Sequence, residues 1–133
     1  MEPHSGAGLP ARPGIRPLRG RIGEDAAAAA LAARGYRVLA RNVRMGRGEI
    51  DLVCEHDGDV VFVEVKARRG AAFGTPAEAV TARKQRALVA LASRYLVRTG
   101  RGDRPCRFDV VEVWLDAGNR PIRADVLRDA FQG

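Results

Sequence analysis

The chain reads as one α/β domain, a central mixed sheet flanked by helices, with its elements in the order α-β-β-β-α-β and a short closing segment. Three observations predict this. An Ala-rich run ending at Gly35 has helical composition, and two apolar stretches, 49–54 and 60–67, bracket an Asp57-Gly58 turn. A third stretch, 77–97, returns to helical spacing before a last strand over 106–115. With 133 residues and 46 % hydrophobic composition, one core can form without staples.

Residues 1–17 are rich in Pro, Gly and Arg and lack apolar periodicity, so they read as a mobile basic arm ahead of a single domain over 18–133. The first helix runs from Arg19 or Ile22 to Arg34, with Glu24 and Asp25 in its early turns and Gly35 as its stop. A short strand over 36–42, a Gly46-Arg47-Gly48 turn and a strand over 49–54 follow. Asp57-Gly58 then closes a hairpin onto the strand over 60–67. After a basic, Gly-containing loop over 68–74, Thr75-Pro76-Ala77-Glu78 fits a capping box for the helix over 77–97, and Thr81 is a competing start. Val80, Leu88, Leu91 and Tyr95 form its apolar stripe. The strand over 106–115 carries Trp114, and 121–131 reads as a short strand or helix.

The net charge of +7 and a pI near 10.6 favour a polyanionic partner, although a coding bias towards Arg and Ala gives the same balance. Aromatics at 5 % argue against a stacking-based reader of single strands. Cys54 and Cys106 lie in apolar runs without metal-ligand spacing. They read as buried, reduced thiols of a cytosolic protein, with a disulfide as the minor alternative. No run is long enough to span a membrane and no signal peptide is visible, so a soluble, cytoplasmic chain with no membrane partner is expected.

The chemistry concentrates in Gly48-Glu49-Ile50-Asp51 and Phe62-Val63-Glu64-Val65-Lys66. Strand alternation places Glu49 with Asp51 and Glu64 with Lys66. A symmetric turn at Asp57-Gly58 sets Asp51 opposite Glu64 and Glu49 opposite Lys66, with Cβ atoms about 4.5–5.5 Å apart. Two carboxylates so placed can share a cation, and oxygen donors without His or Cys suit Mg²⁺ or Mn²⁺. The bland reading is a set of cross-strand ion pairs, Glu49 with Lys66 and Asp51 with an Arg. That reading must explain acids inside very apolar runs. It must also explain Lys66, since Lys66 and Lys84 are the only lysines in an Arg-rich chain.

These residues, with Glu24, Phe73-Gly74, Glu78-Ala79-Val80, Lys84, Tyr95-Leu96 and Arg107-Phe108-Asp109-Val110-Val111, resemble the YraN family of uncharacterised bacterial proteins across 20–131. That family is similar in pattern to restriction-endonuclease-like nucleases with the PD-(D/E)xK signature, Holliday-junction resolvases among them. The resemblance implies a restriction-endonuclease-like fold and a Mg²⁺-dependent endonuclease that hydrolyses phosphodiesters, with branched or damaged DNA as the favoured substrate. Asp51, Glu64 and Lys66 match its catalytic set, and Glu24 joins Asp51 and Glu64 at the metal; Ile50 stands where the signature has proline. Gln85 matches the Gln of an exonuclease motif whose Tyr is absent at the short spacing.

On the mechanism this implies, Lys66 orients the attacking water or stabilises developing charge. Arg68, Arg69 and Arg83 are candidate phosphate contacts. Lys84 either faces the phosphate or is a solvated helix charge, and Glu49 is either an extra ligand or the partner of Lys66. Related nucleases allow a homodimer, though no isolated apolar stripe demands one. The alternative from another class is a nuclease-like module that grips nucleic acid without cutting it. A protein-binding regulator is the third reading.

Overall fold

The computed structural model describes residues 18–69 and 80–132. The arm, the capping box at 75–78 and the Phe73-Gly74 pair lie outside the described residues. Helix α1 (Leu18–Ala33) ends where Gly35 takes φ +89°. The amide of Tyr36 then reaches Leu31 O and that of Gly35 reaches Ala32 O, which satisfies the last carbonyls of the helix. Strands β1 (Arg37–Met45), β2 (Gly48–His56) and β3 (Asp59–Arg69) follow as two hairpins. Asp57 and Gly58, at φ 52° and 84°, make the tight turn whose twist suits a two-residue hairpin. The pairs from His56↔Asp59 to Leu52↔Val63 keep the register expected from that turn.

Helix α2 (Ala82–Arg98) crosses over the sheet to β4 (Cys106–Leu115), which runs parallel to β3, and β5 (Pro121–Phe131) returns antiparallel. The sheet order is β1-β2-β3-β4-β5, a mixed open sheet with helices packed on it, as the α/β reading expects. The closing segment is a strand of 11 residues. One boundary differs from the capping-box expectation, because Val80 precedes the helix and Thr81 caps it. The Thr81 backbone is extended (φ −69°, ψ 160°) and its hydroxyl accepts the Lys84 amide at 3.1 Å.

Each sheet face has its own core. Leu88, Leu91, Ala92, Tyr95 and Leu96 of α2 recur at helical spacing and cover Val53, Val60, Phe62, Phe108 and Val110. On the opposite face Ala27 and Leu31 of α1 meet Leu52, Cys54, Val61, Val63, Val111 and Val113. Small side chains let α1 lie close, and a Cβ added at Gly23 would stand 3.1 Å from the Ala67 Cβ. No helix among the described residues is long and apolar enough to cross a membrane.

Both cysteines are free, but only Cys54 is buried; Cys106, at the first position of β4, is exposed. The expected burial of Cys106 fails because the strand begins at the rim of the sheet, where alternation does not imply a covering layer. Burial pushes the Cys54 thiol up to about 12. A neutral-pH thiol titration of the native protein will therefore label Cys106 alone, and denaturant will add Cys54. Labelling of both in the native state would contradict this core.

Candidate active site

The site forms where β2 and β3 part. Backbone pairing between them ends at Leu52↔Val63. One step further, Asp51 and Glu64 face each other by the same register. Here the Asp51 side chain takes the place of the β2 main chain, and its Oδ2 accepts the Val65 amide at 2.9 Å. A charge-assisted bond of this kind fixes a carboxylate firmly, and it holds Asp51 at the backbone next to Glu64.

On β3, Val60 and Phe62 point towards α2, and Glu64 and Lys66 continue that alternation. Glu64 is only 5 % exposed, yet two amines serve its Oε2, Lys66 Nζ at 3.8 Å and Lys84 Nζ at 3.4 Å. Lys84 is there because the Thr81 cap makes it the third residue of α2, in the first turn of the helix. A buried carboxylate is costly when unpaired, so the two ammonium groups offset its burial. Of the two readings of Lys84, the geometry supports membership of the cluster.

The Glu49 ion pair among the described residues runs to Arg44 at 3.9 Å, while Lys66 closes on Glu64, so the expected Glu49–Lys66 pair is replaced. Same-strand spacing (i, i+2) on β3 and the β1–β2 hairpin decide both partners. Glu24 is buried on α1 and accepts from Asn42 Nδ2 at 2.9 Å. Asn42, at φ 52°, stands between Arg41 and Val43, whose partners are Leu52 and Ile50, and so lies across from Asp51. Asn tolerates this left-handed backbone better than most residues. Among the described residues no three Asp, Glu, His or Cys side chains converge on one ion position, so Glu24 is not brought into a three-acid cage with Asp51 and Glu64.

Three of the accessory residues named from the sequence have intramolecular partners. Arg68 Nε bonds the carboxylate of Glu112, Arg69 bonds the Asn119 side chain, and Gln85 Nε2 donates to Val80 O at 3.0 Å, tying the start of α2. Arg83 is exposed on the first turn of α2. Glu112 escaped the sequence reading. It is 1 % exposed, pairs with Lys66 in the β3–β4 register and sits on the Glu64 face. The signal was available, an acid inside the apolar run Val110–Leu115.

A second polar cluster lies on the opposite, α1 side of the sheet, from the Asp57-Gly58 turn up to the level of Val63. Asp109 is fully buried and receives Tyr36 Oη at 2.7 Å, Arg107 Nε at 3.1 Å and the Asp129 amide at 2.9 Å. Arg107 also reaches Asp59 Oδ2 at 2.9 Å and His56 Nδ1 at 2.8 Å. Guanidinium only donates, so Nδ1 accepts and the ring proton sits on Nε2. The His56 ring stacks on Tyr36 with centroids 3.9 Å apart. Burial and the Asp109 bond push the Tyr36 phenol up. Burial opposes the charge on Arg107, but its bonds to Asp109, Tyr36 and Asp59 outweigh that and hold it more firmly protonated. His56, the last residue of β2 before the Asp57-Gly58 turn, is a structural member of this cluster.

A family model described as an uncharacterised protein family, UPF0102, matches residues 23–113, which include Glu24, Asp51, Glu64, Lys66 and Lys84. A UPF0102 protein of Symbiobacterium thermophilum is 56 % identical over 112 residues, covering 84 % of this chain and 94 % of that one. One from Moorella thermoacetica is 50 % identical over 116 residues (87 % and 97 %), and one from Rhodococcus opacus is 45 % identical over 112 residues (84 % and 94 %).

Proposed function

The chain belongs to the uncharacterised protein family UPF0102, and from its site we propose a metal-dependent phosphodiester hydrolase acting on nucleic acid, DNA foremost. The observation that carries this reading is a buried Glu64 between two amines, with the Asp51 carboxylate held beside it by the Val65 amide. The donor set fits Mg²⁺ or Mn²⁺. Carboxylate oxygens suit a hard cation, and Mg²⁺ is commonly held by one or two carboxylates, with water and phosphate oxygens supplying the rest.

Asp51 and Glu64 would hold the ion, and Glu24, fixed by Asn42, would act through water. When bound, the ion would acidify a water molecule and neutralise charge on the scissile phosphate. Lys66 would donate to a phosphate oxygen as charge develops there, and Lys84 would supply a second cation from α2. The Asp51–Val65 bond preorganises the carboxylate, so little reorganisation is needed when substrate arrives.

A second reading, a module that binds without cutting, draws support from the same pairs, since Lys66 and Lys84 already neutralise Glu64. Incubating the chain with branched, nicked and single-stranded DNA, with Mg²⁺ or Mn²⁺ and then with EDTA, separates the two. Hydrolysis predicts products that need the metal and stop on chelation. Salt-sensitive binding with no such product on any substrate selects the module. Loss of salt-sensitive binding altogether excludes both.

A further inference from the structure

The outer face of α2 carries a row of cations that the site does not use. Arg83, Arg86, Arg94 and Arg98 are all exposed, and the helix contains no Asp or Glu. At 100° per residue these four fall on the side opposite Leu88, Ala92 and Tyr95, so they form one stripe along the solvent face. From Arg83 to Arg98 it extends about 22 Å at ~1.5 Å rise per residue.

The charges are unusually free. Arg37, Arg41, Arg44, Arg68, Arg104, Arg107, Arg123 and Arg128 each meet a carboxylate, whereas none of the four stripe arginines enters an ion pair among the described residues. Like charges three and four residues apart, as in Arg83 with Arg86 and Arg94 with Arg98, weaken a helix. A solvated face of ordinary composition would intersperse acids to relieve this. A shallow depression of about 460 Å³ opens on the same face, lined among the described residues by Ser93, Arg94, Val97 and Arg98. Its walls are mostly carbon, and the guanidinium groups of Arg94 and Arg98 are the donors it offers to phosphate oxygens.

We propose that this stripe is a phosphate-tracking surface for the backbone of duplex nucleic acid, leading away from the Glu64–Lys66–Lys84 cluster. The inference rests on the nucleic-acid reading above, but not on cleavage. Its start beside the site follows from the chain, since Arg83 adjoins Lys84, which touches Glu64. The duplex is favoured because the stripe is straight and carries no aromatic ring on which single-stranded bases could stack; Tyr95 faces the core. Contacts of this kind set position and affinity without reading sequence.

Fluorescence anisotropy with a short labelled DNA duplex, in EDTA over a rising salt series, tests the proposal. The Arg94→Glu/Arg98→Glu variant is expected to lose at least about tenfold in affinity at low salt, and its salt slope to fall by about 2. Arg94→Lys/Arg98→Lys should retain most of the binding. Arg34→Glu/Arg120→Glu changes net charge equally on exposed residues elsewhere and should stay near wild type. Circular dichroism checks that every variant is folded. Equal losses in both Glu variants would reduce the effect to net charge and overturn the stripe. So would unchanged binding in the Arg94/Arg98 variant, equal affinity for a single strand of the same length, or wild-type binding to anionic vesicles in place of DNA. A wild type that cuts DNA while binding ignores Arg94 and Arg98 sinks this inference alone. Stripe-dependent binding without any cleavage sinks only the hydrolase.

Discussion

Glu64→Gln is expected to lower metal-dependent cleavage by about 10²–10³-fold or more, the range seen when one preorganised charge-stabilising group is removed. The change is nearly isosteric, so it opens no cavity between β3 and α2. Lys66 and Lys84 lose their shared partner, but both ammonium groups are partly exposed and can turn to water. Stability should therefore move by no more than about 1 kcal/mol, as for substitutions that create neither void nor orphan charge. Binding to DNA in EDTA should hold or rise, since two cations are released from a competing carboxylate. Steady-state cleavage, thermal melting and anisotropy on one preparation read all three quantities. A Glu64→Gln protein that cuts at the wild-type rate would remove Glu64 from the chemistry.

Arg107→Ala is expected to cost about 3–5 kcal/mol, because it leaves the fully buried Asp109 carboxylate without its counter-charge. The melting temperature should fall by about 10–20 °C for a chain of this size. Adding Asp109→Asn should recover about 1–2 kcal/mol, since the orphan charge is then gone. The amide oxygen can still accept from the Asp129 amide, and the amide nitrogen can donate to the Tyr36 hydroxyl. Urea melts of wild type, both single variants and the double variant form the cycle that checks this. If the double variant is no more stable than Arg107→Ala, the stranded charge is not the cause of the loss. Cleavage per folded molecule should change little, because the side chains of this cluster lie on the α1 face of the sheet, opposite the face that carries Glu64.

Much of the architecture was legible because its signals are local. The Ala run and Gly35 bound α1, and Asp57-Gly58 set both the turn and the pairing that aligns Asp51 with Glu64. The alternation that joins Glu64 to Lys66 was equally direct. What escaped depends on partners distant in sequence. Tyr36 and Asp109 meet across 73 residues, and no spacing rule announces such a contact. Whether the arginine after Cys106 was buried or solvated could not be decided before β4 was known to be covered by α1. The start of α2 turned on a choice between two threonines, Thr75 and Thr81, that propensity leaves nearly equal. The left-handed Asn42 is not announced by composition, because a single Asn inside a strand pattern does not say which backbone region it takes.

The two outermost strands have a consequence for solution behaviour. β1 carries Arg37, Arg41 and Arg44, a slipped register between Val38 and Ala40, and the left-handed Asn42. β5 opens on Pro121, carries Arg123, Arg128 and Asp129, and shifts register twice against β4. Neither rim offers a flat, uncharged row of amides, so lateral addition of further strands is disfavoured at both ends. Concentrated stocks should accordingly resist fibrillar aggregation, with no covering loop required to guard an edge.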